Sequence, residues 1–89
     1  MNLEQLRAEI DAVDQELIEL LGRRFQLTRR IGRYKHANAL AHVDSVREDA
    51  ISERWRALAV ANGVAPDLAA KIIGLIVDQV VKEHGTTAT

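Results

Sequence analysis

The apolar positions in the first part of the chain recur with an unbroken three-then-four spacing. The spacing runs through ten positions, which are Leu3, Leu6, Ile10, Val13, Leu17, Leu20, Arg24, Leu27, Ile31 and Tyr34. It predicts one long helix, from about residue 2 to about residue 37, with a coiled-coil-like seam. Arg24 is the charged member of the set, and a guanidinium on such a seam is costly unless an anion meets it.

The length of this helix predicts an oligomer. A helix of that extent spans on the order of 50 Å, whereas a compact domain of 89 residues has a radius of gyration of about 12 Å. One compact protomer cannot cover the seam. We therefore expect an intertwined homodimer in which two long helices pack against each other.

Two further helices are predicted, and no segment shows the alternation of a strand. Ser45 and Glu48 match a capping box, which predicts a second helix over about 45–62 that stops at Asn62-Gly63. Pro66 suits the first turn of a third helix, over about 66–84. The apolar stripe of that helix comprises Ala69, Ile72, Ile73, Ile76, Val80 and His84. The fold class is all-α, a single helical domain over residues 1–89 with a loop at 38–44.

The composition narrows the classes of function. The chain contains no cysteine, which excludes a disulfide framework and a thiolate metal site. The net charge of −1 and the low aromatic content argue against nucleic acid and acidic membranes as partners. His36 and His42 would need a third ligand to hold a metal, so no metal site is predicted. No apolar run reaches about 18 residues and the first residues do not match a secretory signal, so we expect a cytoplasmic protein.

The cations of the first helix divide between two faces. At about 100° per residue, Lys35 returns to within about 20° of Arg24, whereas Arg29, Arg30 and Arg33 lie about 120° to 180° away. We interpret the outer three as a solvated surface. The inner two favour an anionic ligand, and a buried ion pair with a structural partner is the alternative for Arg24.

Between these two cations the same face carries Thr28, Ile31 and Gly32. We expect these three residues to form a floor over which a compact anion could lie. Glycine inside a helix costs about 1 kcal/mol relative to alanine, so Gly32 indicates a close approach to the backbone. Either a ligand or a tight helix crossing would account for it.

The chain resembles the all-helical chorismate mutase family over nearly its whole length. The segments that carry the resemblance are Leu6–Asp14, Leu20–Arg24, Ile31–Lys35 and Asp44–Glu48. The Leu-Arg-x-x-Ile-Asp-x-x-Asp opening, the inward cations eleven residues apart and the Asp-x-x-Arg-Glu start of the second helix form a specific combination.

The resemblance implies a cofactor-free isomerase of the shikimate pathway, which makes aromatic amino acids. Its substrate would be the small dianion chorismate, converted to prephenate. It also implies a three-helix protomer whose long helices cross in a homodimer, with two active sites that each borrow an arginine from the other subunit. Arg7 matches the borrowed arginine, and it lies one position off the seam, where it could reach across.

The same resemblance implies roles for five further residues. Arg24 matches the arginine that holds a substrate carboxylate, and Lys35 matches the lysine that hydrogen-bonds the ether oxygen. Asp44 and Glu48 match acidic groups near the ring hydroxyl, with Arg47 between them in the segment that covers the ligand.

Two positions of the third helix depart from the family pattern. Val80 stands where the family often has a small hydroxyl residue, which removes one polar contact with the substrate. His84 stands where a glutamine donates to the ether oxygen. Its imidazole N–H could replace that amide, or His84 could be a helix-end residue that donates to a backbone carbonyl.

Other functions stay open at this point. A 4-amino-4-deoxychorismate mutase or an isochorismate pyruvate lyase would share this fold, although Asp44 and Glu48 weigh against the elimination reaction. A non-catalytic helical dimer that binds an anionic metabolite or a partner protein is the alternative of a different class. Nothing in the sequence identifies an activating pathway enzyme as a partner.

Overall fold

The computed structural model describes residues 1–40 and 44–84, the side chain of His84 excepted. These residues form three helices, α1 (Leu3–Ala37), α2 (Ser45–Ala61) and α3 (Pro66–His84). The described ranges contain no strand, so the all-α prediction is confirmed, and the helix bounds lie within one residue of those predicted. His42 and the last five residues lie outside the described part of the chain.

The start of α2 corrects one prediction. The N-cap is Asp44, whose Oδ1 accepts a hydrogen bond from the Arg47 backbone N–H at 2.9 Å. The predicted capping box of Ser45 and Glu48 is therefore wrong, because Ser45 is already the first helical residue. Aspartate and serine are comparable N-caps, and the aspartate comes one residue earlier.

The helices α1 and α2 end with a residue in the left-handed conformation. Gly63 follows α2 with φ of 72°, which confirms the predicted glycine stop. Ala39 takes the same conformation after α1 with φ of 52°. The Leu40 N–H then donates to the Lys35 carbonyl at 2.9 Å, which closes the last turn of α1.

The core lies where α3 packs along α2 and meets the second half of α1. Ile51 of α2 and Ile73 and Ile76 of α3 form its centre. Four partly buried residues pack against that centre, namely Leu21, Phe25, Trp55 and Val77. Two residues of the predicted apolar stripes lie outside it, since Leu58 is 46% and Ile72 is 41% exposed.

The first half of α1 has no such cover. Every side chain from residue 1 to residue 20 is exposed, including the seam residues Leu3, Ile10 and Leu17 at 58–59%. A helix of 35 residues is about 52 Å long, and the longest dimension of the protomer is 55 Å. The radius of gyration is 15.9 Å, against about 12 Å for a compact chain of this length. No helix in the described ranges is long and apolar enough to cross a membrane.

Candidate functional site

The buried guanidinium of Arg24 is the centre of the candidate site. Arg24 is half-buried on α1, one turn after Leu21 and beside Phe25 of the core. Its Nη1 atom is buried, and no group in the described part of the chain accepts a hydrogen bond from it. A buried charged donor without an acceptor costs free energy. An anion would be the natural acceptor for this donor.

The positive charge of Arg47 adds to the free-energy cost of burying Arg24. Burial lowers the pKa of Arg24, and the positive charge of Arg47 on α2 lowers it further. An arginine side chain nevertheless stays protonated in proteins. Two cations from different helices thus approach one another, and an anion between them would relieve both the lost hydration and the repulsion.

Lys35 is the second cation of the inner face, and it is half-buried as well. It lies about 16 Å further along the axis of α1 on the same side as Arg24. Arg29, Arg30 and Arg33 are exposed. The predicted division into inward and outward cations is confirmed.

The acidic residues at the start of α2 take two different positions. Asp44 is exposed and its carboxylate caps the helix. Glu48 is half-buried and lines a groove of about 220 Å³ between α2 and α3. The remaining lining consists of Ile51, Ser52, Ala70, Ile73, Gly74, Val77 and Asp78. Glu48 thus lines a groove that also contains apolar side chains and the carboxylate of Asp78.

Two other predicted site residues, Arg7 and Val80, differ in burial. Arg7 is exposed and borders the uncovered apolar surface of Leu6 and Ile10. It lies about 42 Å from Lys35 along the same helix, so the two cannot serve one site within a single chain. Val80 is 0% exposed, so the protomer offers a ligand no surface of this side chain.

His84 is the last residue of α3, and its side chain lies outside the described part. The position of its imidazole relative to the other site residues stays a prediction.

Thr28 is the polar residue of the floor that the sequence predicted between Arg24 and Lys35. It is 2% exposed, and its hydroxyl donates to the Phe25 carbonyl at 2.9 Å. The sequence places Thr28 on the same helix face as Arg24, because it comes four residues later and residues at that spacing share a face.

The match to a family model identifies the class of protein. A model described as chorismate mutase type II matches residues 6–85. The chain belongs to this family. The match includes α2, α3 and all of α1 after its first three residues, so it covers Arg24, Lys35 and Arg47.

Two curated proteins are similar to this chorismate mutase type II chain. The T-protein of Haemophilus influenzae is 38% identical over 66 residues, which are 74% of this chain and 18% of that protein. The 4-amino-4-deoxychorismate mutase of Streptomyces venezuelae is 28% identical over 80 residues, which are 90% of this chain and 78% of that protein. The chain thus spans less than a fifth of the first relative and most of the second.

Proposed function

We propose that the protein is a chorismate mutase that converts chorismate to prephenate. The observation that carries the proposal is the buried Arg24 Nη1 atom, which lacks an acceptor and lies near a second cation in a chain of this family. Chorismate carries two carboxylates, and a carboxylate is the group that a guanidinium binds best, with two parallel hydrogen bonds.

The proposed reaction is a pericyclic rearrangement within one molecule. One C–O bond breaks while one C–C bond forms, and no proton or group passes to the protein. The protein has to hold the compact conformer of the substrate and place positive charge where the ether oxygen becomes negative. Arg24 would hold one carboxylate, and Lys35 would donate to the ether oxygen. His84 is proposed as a second donor to that oxygen.

The start of α2 would bind the ring end of the substrate. The half-buried position of Glu48 supports a hydrogen bond from the ring hydroxyl to its carboxylate. Asp44 caps α2 through its Oδ1 atom, which fixes its carboxylate at the end of the helix where the ring hydroxyl would lie. Arg47 would close over the ligand from the same turn. Val80 would support the floor of the site from within the α3 packing, since it presents no surface.

A homodimer is part of the proposal, and the exposed surface supports it. The protomer exposes 6768 Å², about 1,600 Å² more than the roughly 5,200 Å² expected of a compact monomer of its mass. A stable interface buries about 800 Å² per partner. The uncovered seam of α1 is apolar and long enough to supply that area.

The dimer would also complete the active site. Arg7 and Lys35 are about 42 Å apart in one chain, so an active site that uses both must take Arg7 from the partner. Two long helices that cross with opposite directions bring the first turns of one chain to the second half of the other. Each dimer would then hold two equivalent composite sites.

The second candidate function is that of a 4-amino-4-deoxychorismate mutase. The relative with that name aligns with 90% of the chain. Glu48 and Asp78 line one groove, and two carboxylates can pair with the ammonium that replaces the ring hydroxyl. The reaction and the cation roles would be the same, so the two candidates differ only at the ring end.

Separate incubation with each substrate tests the proposal. Purified protein is mixed with chorismate, 4-amino-4-deoxychorismate or isochorismate, and the products are followed by ultraviolet spectrum, chromatography and mass. We expect chorismate to give an isomer of unchanged mass, and we expect no pyruvate from isochorismate. Turnover of the amino compound alone would favour the second candidate. Absence of turnover with all three would indicate a non-catalytic binding protein. The shikimate pathway and a cytoplasmic location belong to the same proposal.

A further inference from the structure

Thr28 is buried although its hydroxyl does not make the folded protein more stable. It is the buried polar residue of the described part of the chain, at 2% exposure. Its hydroxyl donates to the Phe25 carbonyl within the same helix. That carbonyl lies inside α1 and accepts its helical backbone bond without this help. Such a bond back to the preceding turn does not strengthen a helix, and valine would fill the same space without a hydroxyl to desolvate.

The neighbour of Thr28 on this face is Arg24, which has a buried nitrogen without an acceptor in the described part of the chain. Arg24 precedes Thr28 by four residues, which places their Cβ atoms about 5 to 6 Å apart. The Arg24 Nη1 atom is buried and has no hydrogen-bond partner. The Thr28 oxygen, in contrast, uses its proton on Phe25 and keeps its lone pairs. A buried donor and a buried acceptor therefore lie one helical turn apart on the same face.

We infer that Thr28 is a positioning residue, whose hydroxyl accepts a hydrogen bond from the Arg24 guanidinium when that guanidinium holds a substrate carboxylate. The inference rests on the proposed function. A carboxylate takes two of the five guanidinium N–H groups, and the edge turned towards α1 then needs its own acceptor. The chain of bonds would run from Arg24 through the Thr28 hydroxyl to the Phe25 carbonyl, of which the second bond is already formed.

This arrangement fixes the orientation of the cation rather than adding a contact to the substrate. A hydroxyl that donates to a carbonyl is a better acceptor, because hydrogen bonds in a chain polarise one another. Loss of the hydroxyl would leave Arg24 free to tilt. Binding of the carboxylate would weaken in the ground state and the transition state alike, which raises KM more than it lowers kcat.

Two variants of opposite character test the inference with chorismate as substrate. Thr28→Val keeps the shape and removes the hydroxyl. We expect its Tm to equal or exceed that of the wild type, while kcat/KM falls about fivefold or more, mainly through KM. Thr28→Ser keeps the hydroxyl and removes a methyl group, so its Tm should fall while it recovers most of the lost kcat/KM. A packing role would move Tm and activity in the same direction.

A third variant asks whether Thr28 acts through Arg24. In an Arg24→Lys background the guanidinium edge is gone, and adding Thr28→Val should cause no further loss of kcat/KM. The inference is overturned if Thr28→Val stays within twofold of the wild type, if Thr28→Ser is as impaired as Thr28→Val, or if the double variant loses the product of both effects. A wild-type protein without mutase activity overturns the proposed function and this inference with it, whereas an active wild type with an indifferent Thr28→Val overturns the inference alone.

Discussion

At the scale of single residues, Arg24 is a residue that ligand binding requires and that lowers the stability of the fold. The seam of α1 is otherwise apolar, and an aliphatic residue would continue it. The protein instead keeps a buried guanidinium nitrogen that has no acceptor among the described residues, near the positive charge of Arg47. Removing a functional group of this kind commonly stabilises a protein.

The first prediction follows from that conflict. Arg24→Met should keep or raise Tm, because methionine continues the seam and no charge remains to be desolvated. Its kcat/KM for chorismate should fall about 100-fold or more, the loss typical of one well-placed cation. Arg29→Met is the matched control, since Arg29 is exposed on the same helix, and it should change kcat/KM less than about threefold. Equal losses in the two variants would refute the assignment of the inner face, and a lower Tm for Arg24→Met would mean that Arg24 stabilises the fold.

A second prediction concerns the two residues that end α1 and α2. Both lie in the left-handed region, Ala39 with φ of 52° and Gly63 with φ of 72°. A side chain there costs about 1 kcal/mol. Ala39→Gly should therefore raise Tm by several degrees and Gly63→Ala should lower it by a similar amount, both measured at one protein concentration because a dimer is involved. Shifts of the same sign in both variants would contradict this account of the helix ends.

At the scale of elements, the sequence predicted the existence and bounds of the helices better than the details of their ends. The spacing in α1 and the glycine at position 63 predicted the extent of α1 and the end of α2. Each is a local preference, and no neighbouring residue offers an equally good alternative. The start of α2 was misassigned since Asp44 and Ser45 are both good N-caps and stand next to each other. A capping box of Asn2 and Gln5 begins α1, a detail that the spacing of apolar residues does not predict.

The third prediction tests the uncovered seam of α1. Leu17 belongs to the three-then-four spacing and is 58% exposed in the protomer, whereas Ile18 is outside the spacing and is 69% exposed. Leu17→Glu should dissociate the dimer at micromolar concentration and reduce the helical signal of circular dichroism, because a carboxylate cannot be buried in an apolar interface cheaply. Ile18→Glu, the matched control one residue away, should keep the mass of about twice 9.9 kDa in sedimentation. A dimer that survives Leu17→Glu would mean that another surface forms the interface.

At the scale of the whole molecule, the sequence located the candidate site only in part. It placed Arg24 and Lys35 on the inner face of one helix, because helical geometry alone decides this. The approach of Arg47 to Arg24 depends on how α2 packs, which no local pattern reports. The burial of Thr28 and Val80 depends in the same way on the contact between α1 and α3.

Complementation between two inactive chains tests the composite active site most directly. Arg7→Ala and Lys35→Ala homodimers should each be nearly inactive with chorismate. When the chains are mixed and allowed to exchange, half the dimers are mixed and each has one intact site, so activity should return to about a quarter of the wild-type value. Arg33→Ala in place of Lys35→Ala is the control, and its homodimer should be active before mixing. Mixed Arg7→Ala and Lys35→Ala dimers that form, as shown by sedimentation or mass, but stay inactive would contradict an active site shared between two subunits.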